Sequence, residues 1–493
     1  MGFPYDDMRS FIDDLEKEGE LIRVQEEVDW NLEAGAIARR LAELTQGRSV
    51  KKGGQPAAVF ENVKGYPKGF RLAVGTHYNP KRVSLAFGLE DSDHRTLQDL
   101  QKAFIDAVDH PIKPVVVKNG SCKENKLFGD EVNLYKFPAP MVHEGDGGRY
   151  MCTLHFLVSK RLDSDWTNWG MYRAMIHDKR TLGGLFIHSQ HGPDIYYEYE
   201  AADKPMPFAI VIGADPLSLF FSAAPLPRGL SEVDAVGGAR GKAVRMVKCE
   251  TNDLMVPADA EIVIEGVVPP RVRAYEGPFG EFTGYRASPR DKRPVYAVKC
   301  ITYRNDPILT MSCMGVPVDE GDIVWSVGLG SMYKRSLINA GLPVVDVNLP
   351  PEASGVLTVV STKTPYRGIA HTIANVLDGE FKMVSMSQHI LVVNDDVDIF
   401  NIPELLHTWA SRVHPERDIF VRRGRPGLPL APWADLDERQ KMTAPSALYD
   451  ATWSLDWSPE IAIPPKAAFK SIFPVEVQEK ILSKWLSYGF NAV

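Results

Sequence analysis

Met8, Phe11, Ile12 and Leu15 fall three and four apart in "MRSFIDDLEKEGEL", the spacing of an amphipathic helix, and Gly19 ends it. "NLEAGAIARRLAEL" has the same look, with Leu32, Ile37, Leu41 and Leu44 as its apolar positions and Asn31 or Asp29 as cap. "AAVFENV" and "RLAVGTH" predict short strands. From about residue 115 to 310 the texture changes to short β-rich runs between turn signals: "PVVVKNG", "CTLHFLVSK", "GGLFIH", "PFAIVIGADP", "AVRMVKCE", "AEIVIEGVV" and "VYAVKCITYR". Such spacing suits an antiparallel barrel or sandwich with long excursions, one of them the helix-like "DIYYEYEAADKP".

Beyond residue 315 the α/β texture returns. "GVLTVVSTK" and "HILVVNDDVDIF" read as strands, and "YRGIAHTIANVLDG" between them as a helix with Ile369, Ile373 and Val376 on one side. This alternation predicts a parallel or mixed sheet. "RRGRPGLPLAPWADL" runs over the surface or folds back on a site. The last stretch, "FPVEVQEKILSKWLSYGF", sets Val477, Ile481, Trp485 and Tyr488 at helical spacing. That helix either docks on its own core or reaches a partner subunit.

At 493 residues, 44% hydrophobic and 24% charged, the chain has material for two to four units with ample core. With 56 basic against 64 acidic residues, the net charge is -8, which argues against nucleic-acid or anionic-membrane partners. A bound phosphate would therefore lean on a metal ion, backbone amides or a few placed cations. Five scattered cysteines without a CxxC pair suggest reduced, buried thiols. The acidic "MGFPYDDMRSF" lacks the apolar centre of a secretory signal, and no run of 18 apolar residues occurs, so a cytoplasmic protein is expected.

The candidate chemistry is scattered. "EGPFGEFTGY" sets Glu276 and Glu281 around a Gly-Pro-Phe-Gly turn. Five apart, they fall on opposite faces of a strand and roughly 140° apart on a helix. Only an irregular turn aims both at one spot; otherwise they are solvated loop carboxylates. "TNWGMYRAM" sets Asn168 and Arg173 around Gly170, and an arginine fork suits a carboxylate substrate or a surface ion pair. "FIHSQHG" ends a strand with His188 and His191, which are either metal ligands or merely hydrogen-bonded. Glu232 precedes a glycine-rich stretch without a nucleotide-binding spacing. "HDKR" and "HTWASRVHPE" read as solvated polar faces. Local spacing assembles no site, so a fold must.

Taken together, "NWGMYRAM", "SQH", "FSAAPLP", "SEVDAVGGARG", "VPADAEIVIEGVV" and "EGPFGEFTGY" resemble the UbiD-type decarboxylases, in the same order, and "VVSTKTPYRGIA" and "HILVVNDDVDIFNI" extend the match over most of the chain. The nearest look is to the bacterial hydroxyarylic acid branch, of hydroxybenzoate and vanillate type. The resemblance implies an α+β fold with an N-terminal α/β region (1–112), a split β-barrel that binds flavin (113–315), a C-terminal α/β domain (316–460) and a terminal oligomerisation helix (461–493).

It also implies prenylated FMN as cofactor. Asn168, His191 and Glu232 would bind Mn²⁺ or Mg²⁺, which also grips the cofactor phosphate. Trp169, Phe221, Ser222 and Glu232 would hold K⁺. The stretch Asn168, Trp169, Gly170, Met171, Tyr172 and Arg173, with Gln190, would line the flavin. The family commonly carries a lysine near the phosphate where this sequence has Gln388 or His389. Arg173, Glu276 and Glu281 match the family's Arg-Glu-Glu network, and the pocket would involve Met311 to Val316 and "GLPLAPWA".

The implied reaction is reversible, non-oxidative decarboxylation of an aromatic or heteroaromatic acid through a covalent flavin adduct. CO₂ is lost, and Glu281 protonates the ring carbon. A prenyl-flavin synthase would supply the cofactor, and a homodimer or homohexamer is expected. Rival readings are a polyprenyl-hydroxybenzoate decarboxylase, a non-catalytic flavin-binding or assembly subunit, and a two-carboxylate glycosidase.

Overall fold

The computed structural model describes residues 5–188, 190–379, 384–458 and 463–491; the sequence boundary at 460/461 lies outside them, as does Ser189 of "SQH". The first helix, Met8–Lys17, buries Met8, Phe11, Ile12 and Leu15 as its spacing predicts, and Asp7 caps it by accepting the Ser10 amide at 2.9 Å. The second, Glu33–Thr45, differs from expectation. It buries Ala34, Gly35, Ala38 and Ala42, while Leu44 is exposed and Leu32 heads the helix without a side-chain cap. The reason is close approach: the small-residue face lies directly on the backbone of Val142, where larger side chains would not fit.

The strands Leu21–Val24, Ala57–Phe60, Arg71–Val74 and Ile308–Thr310 form one four-stranded sheet. The last of these arrives from more than two hundred positions along the chain and pairs parallel with Arg71–Val74. Glu261, fully buried, fastens the same corner: it takes Arg9 through Nε at 2.7 Å and Nη2 at 2.8 Å, Arg304 at 3.3 Å, and the amide of Ile308 at 3.0 Å.

The central feature is a ten-stranded antiparallel sheet curled into a half-barrel. Its long strand Asp291–Tyr303 pairs with Ile262–Val268 on one side and Thr181–Gly184 on the other. From Ile262–Val268 the order runs through Met206–Ile212 and His155–Lys160 to the edge strand Thr167–Gly170. Three helices pack around that edge: His191–Ala201, Pro216–Ala223 and Glu232–Arg240. The arrangement is the α+β fold expected, and the strand-rich runs of the sequence supply most of the sheet.

A 20-residue helix, Glu320–Asn339, leads to the C-terminal sheet, which mixes parallel and antiparallel pairs in the order Val344–Asn348, Leu357–Thr362, His389–Asn394, Thr443–Ala451, Ile419–Pro426. After Pro426 the proline-rich stretch folds back on the central cavity: Leu428 and Leu430 are buried, and Thr283 Oγ1 donates to the Leu430 carbonyl at 3.0 Å. The terminal helix Val475–Lys484 buries none of its residues, so it does not dock on its own core. All five cysteines are buried and free.

Candidate active site

Glu276 ends the strand Arg273–Glu276, and Glu281 follows the turn. Gly277 adopts a positive φ of 79°, and a Cβ there would lie 3.2 Å from Arg173 Nη2. Glycine thus permits both the bend and the guanidinium's approach. Arg173 follows the edge strand Thr167–Gly170 and is buried between the two carboxylates. Its Nε and Nη2 donate to Glu276 at 2.9 and 2.8 Å, a forked pair, while Nη1 donates to Glu281 Oε1. The Tyr150 hydroxyl donates to Glu276 Oε1 at 2.8 Å. Glu276 thus receives three donors. Glu281 receives Arg173 on one oxygen, and burial pushes its carboxyl above the usual range against the pull of that guanidinium. Arg173 itself is raised: burial opposes its charge, but Glu281 and Glu276 more than compensate. Two carboxylates five residues apart therefore sit on one cation, in unlike surroundings.

The second cluster stands at the other end of this stretch. Asn168 is fully buried on the edge strand; the Tyr172 hydroxyl lies beside it, yet neither amide atom makes a hydrogen bond of ordinary geometry. Glu232 opens its helix and accepts the Trp169 amide on Oε2 at 2.8 Å. His191 opens another helix, its ring edge-on to Trp166 with centroids 5.1 Å apart, and the next amide, Gly192, donates to the Tyr172 hydroxyl at 3.0 Å. Glu232 and His191 are buried too. Among the described residues no group of three or more His, Cys, Asp or Glu is placed to hold a metal. The candidate set holds only two of those types; its third donor is an amide oxygen. Phe221 and Ser222 are buried at the end of the helix Pro216–Ala223, where the Phe221 carbonyl accepts the Ala224 amide at 3.1 Å.

One cavity joins the clusters. Gly170, Met171, Tyr172, Arg173, Gln190, Ser222 and Glu281 line it, while Asn168, Trp169, Phe221, His191 and Glu232 are buried behind that wall. Of the 311–316 stretch, Ser312 and Met314 reach it, and Leu430 represents "GLPLAPWA". Gln388 stands apart: its Nε2 donates to the carbonyls of Ser385 at 2.7 Å and Pro426 at 3.1 Å within the C-terminal region. His389 contacts Tyr449, and exposed His188 stacks on Tyr197. Sequence reasoning missed Tyr150, and it missed the apolar wall of Leu185, Ile187, Phe282 and Trp325. Only Tyr150 left a signal, as a lone aromatic after a glycine pair in "DGGRY".

Three models of the 3-octaprenyl-4-hydroxybenzoate carboxy-lyase match in register: the N-terminal domain over 12–103, the Rift-related domain over 113–317 and the C-terminal domain over 329–444. The pyrrole-2-carboxylic acid decarboxylase of Pseudomonas aeruginosa is 31% identical over 98% of both chains. This chain belongs to the UbiD family. It is a carboxy-lyase of that family. The solved vanillic acid decarboxylase of Sedimentibacter hydroxybenzoicus, in closed form, superposes with a TM-score of 0.86 at 30% identity, covering 98% of this chain and 99% of the other. The UbiD-class enzyme HmfF of Pelotomaculum thermopropionicum, solved with FMN, gives 0.78 at 26% identity, covering 94% and 97%; an evolved dimeric form of HmfF was solved with prFMN.

Proposed function

We propose that this UbiD carboxy-lyase decarboxylates an aromatic or heteroaromatic acid, reversibly and without oxidation, with prenylated FMN. The observation that carries the reading is Arg173, buried and shared by Glu276 and Glu281 at the wall of a largely apolar cavity. The FMN and prFMN complexes of HmfF support the cofactor. Loss of CO₂ from an aryl carbon leaves an in-plane electron pair that side chains cannot delocalise; the bound flavin supplies the electron sink.

The chain's own residues do the rest. Arg173 orients a carboxylate at the cavity wall and fixes Glu276. Glu281, with its raised pKa, holds the proton that replaces CO₂ on the ring carbon. Leu185, Ile187, Phe282, Trp325 and Leu430 exclude water from the new carbanion. Gly170, Met171, Tyr172, Arg173 and Gln190, which line the cavity, would hold the flavin. Asn168, His191 and Glu232 would hold Mn²⁺ or Mg²⁺ at its phosphate; the buried Asn168 amide, outside any hydrogen bond of ordinary geometry, and the mixed N/O donors fit a hard ion. Trp169, Phe221, Ser222 and Glu232 would hold K⁺. Gln388, whose Nε2 is taken by the carbonyls of Ser385 and Pro426, would leave more of the phosphate's charge to the divalent ion.

We also read the chain as a cytoplasmic homo-oligomer charged by a prenyl-flavin synthase. No described helix is long and apolar enough to cross a membrane. Phe469, Ile472, Phe473, Val475, Leu482, Leu486 and Phe490 expose an apolar tail suited to a second copy. The test is to produce the protein with and without a prenyl-flavin synthase and assay CO₂ release from a panel of aryl and heteroaryl acids. Release that depends on the synthase is expected; release without flavin overturns the reading.

A further inference from the structure

The turn that carries Glu281 is tied down by two residues outside the Arg-Glu-Glu network. Asp146 Oδ1 accepts the Gly280 amide at 3.0 Å, and its Oδ2 accepts the His143 amide at 3.0 Å. His143 Nδ1 meets that same Oδ2 at 3.1 Å, while Nε2 meets the Met314 carbonyl at 2.9 Å and the Cys313 Sγ at 3.2 Å. A carbonyl and a carboxylate both accept, so both ring nitrogens carry hydrogen and the ring is an imidazolium. The imidazole lies flat against Gly280: a Cβ there would fall 2.5 Å from Nδ1, so only glycine admits the ring. The same ring meets Phe279 edge-on at 5.5 Å, and the Gly147 amide donates to the Pro278 carbonyl at 2.7 Å. The turn from 278 to 280 is therefore held from behind, residue by residue, by the segment 143–147, which in turn is tied to the cavity-lining Met314.

We propose that His143 and Asp146 are positioning residues: a charged strap that holds the Glu281 turn against Arg173 and locks it to Met314. This rests on the decarboxylase reading for its consequence, not for its geometry. Neither residue lines the cavity, so neither is expected to touch substrate. Without the strap, Gly280 loses its only side-chain acceptor and Glu281 drifts from the atom it must protonate. A misplacement of that kind slows chemistry far more than it weakens binding.

The test uses the full-length protein with His143→Gln and Asp146→Ala, and His143→Asn as a milder variant that keeps a donor toward Asp146. Deuterium uptake is followed without cofactor in a peptide covering residues 277–286. Uptake about tenfold faster than wild type is expected there, with barrel peptides unchanged. In flavin-loaded enzyme, kcat is expected to fall about 10²-fold, KM to change less than about twofold, and cofactor content to stay at the wild-type level. His143→Asn should fall between. Unchanged uptake over 277–286 overturns the strap. Faster uptake with unchanged kcat overturns its positioning role. A wild-type protein that releases no CO₂ refutes the decarboxylase reading alone, since the uptake measurement needs no turnover.

Discussion

The Arg173 corner and the Asn168 corner lie at opposite ends of six residues, yet they are built on opposite plans. The first is complete in itself: Glu276 receives Arg173 twice and Tyr150 once, and Glu281 shares the same guanidinium. The second keeps a buried amide, Asn168, outside any hydrogen bond of ordinary geometry, in an interior where burial without partners is costly. In the proposed reading, one corner is preset for proton transfer. The other is the corner proposed to take an ion. On that reading, pre-organisation and ligand dependence are separated onto the two ends of one short stretch.

The sharpest way to break the comparison is Glu281→Gln. It should retain flavin and metal yet lose CO₂ release about 10²- to 10⁴-fold, read by single-turnover assay. Full activity would remove Glu281 from the chemistry. Glu232→Ala should do the reverse, lowering the metal and flavin that copurify at least about tenfold, read by metal analysis and absorbance. Undiminished content would merge the two corners into one. Tyr150→Phe removes one donor from Glu276 and leaves its two Arg173 bonds, so a loss of only about fivefold in kcat is expected.

The pH dependence is smaller and has a definite sign. Glu281 is raised by burial, so its protonated form persists above the usual carboxyl range, and the rate should fall as pH rises through that raised value. Glu281→Gln should leave no such limb in its residual rate. His143 is pushed up to about 10: burial opposes its charge, but the bonds to Asp146 and Cys313 prevail. Its contribution to stability is complete below about 6.5 and is lost as pH rises toward about 10. The charged group that faces it is Asp146, on its own segment. Thermal melting of His143→Gln should therefore lose less stability than wild type over that interval.

What could be read in the sequence followed from periodicity and order. The helix Met8–Lys17 shows its period because one face meets water, whereas the barrel strands His155–Lys160, Met206–Ile212 and Ile262–Val268 stand out as nearly continuous apolar runs because both of their faces are buried. The helix Glu320–Asn339 left no such trace. Its first three turns are buried nearly all round and carry Gly321, Gly328 and Gly330, so they present no polar face to mark the period. The apolar face of Glu33–Thr45 was misread because small residues, not leucines, make the contact. Arg173, Glu276 and Glu281 came from ordered motifs and do meet. The strap at His143 and Asp146 was invisible because the bonds that tie it to Gly280 and Met314 join positions more than a hundred apart, through backbone atoms that any residue supplies.

Glu261 bears on how this chain can be cut. Its two oxygens are claimed by arginines before and after the barrel, and the Ile308–Thr310 strand completes a sheet begun near residue 21. A fragment starting at the first barrel strand would strand a carboxylate in the interior with half its counter-charge gone, at a cost of about 3–5 kcal/mol. It would also bare the edge of an unfinished sheet. The opening hundred residues are thus a structural half of the catalytic body, and minimal versions of this enzyme should be trimmed from the tail, never from the front.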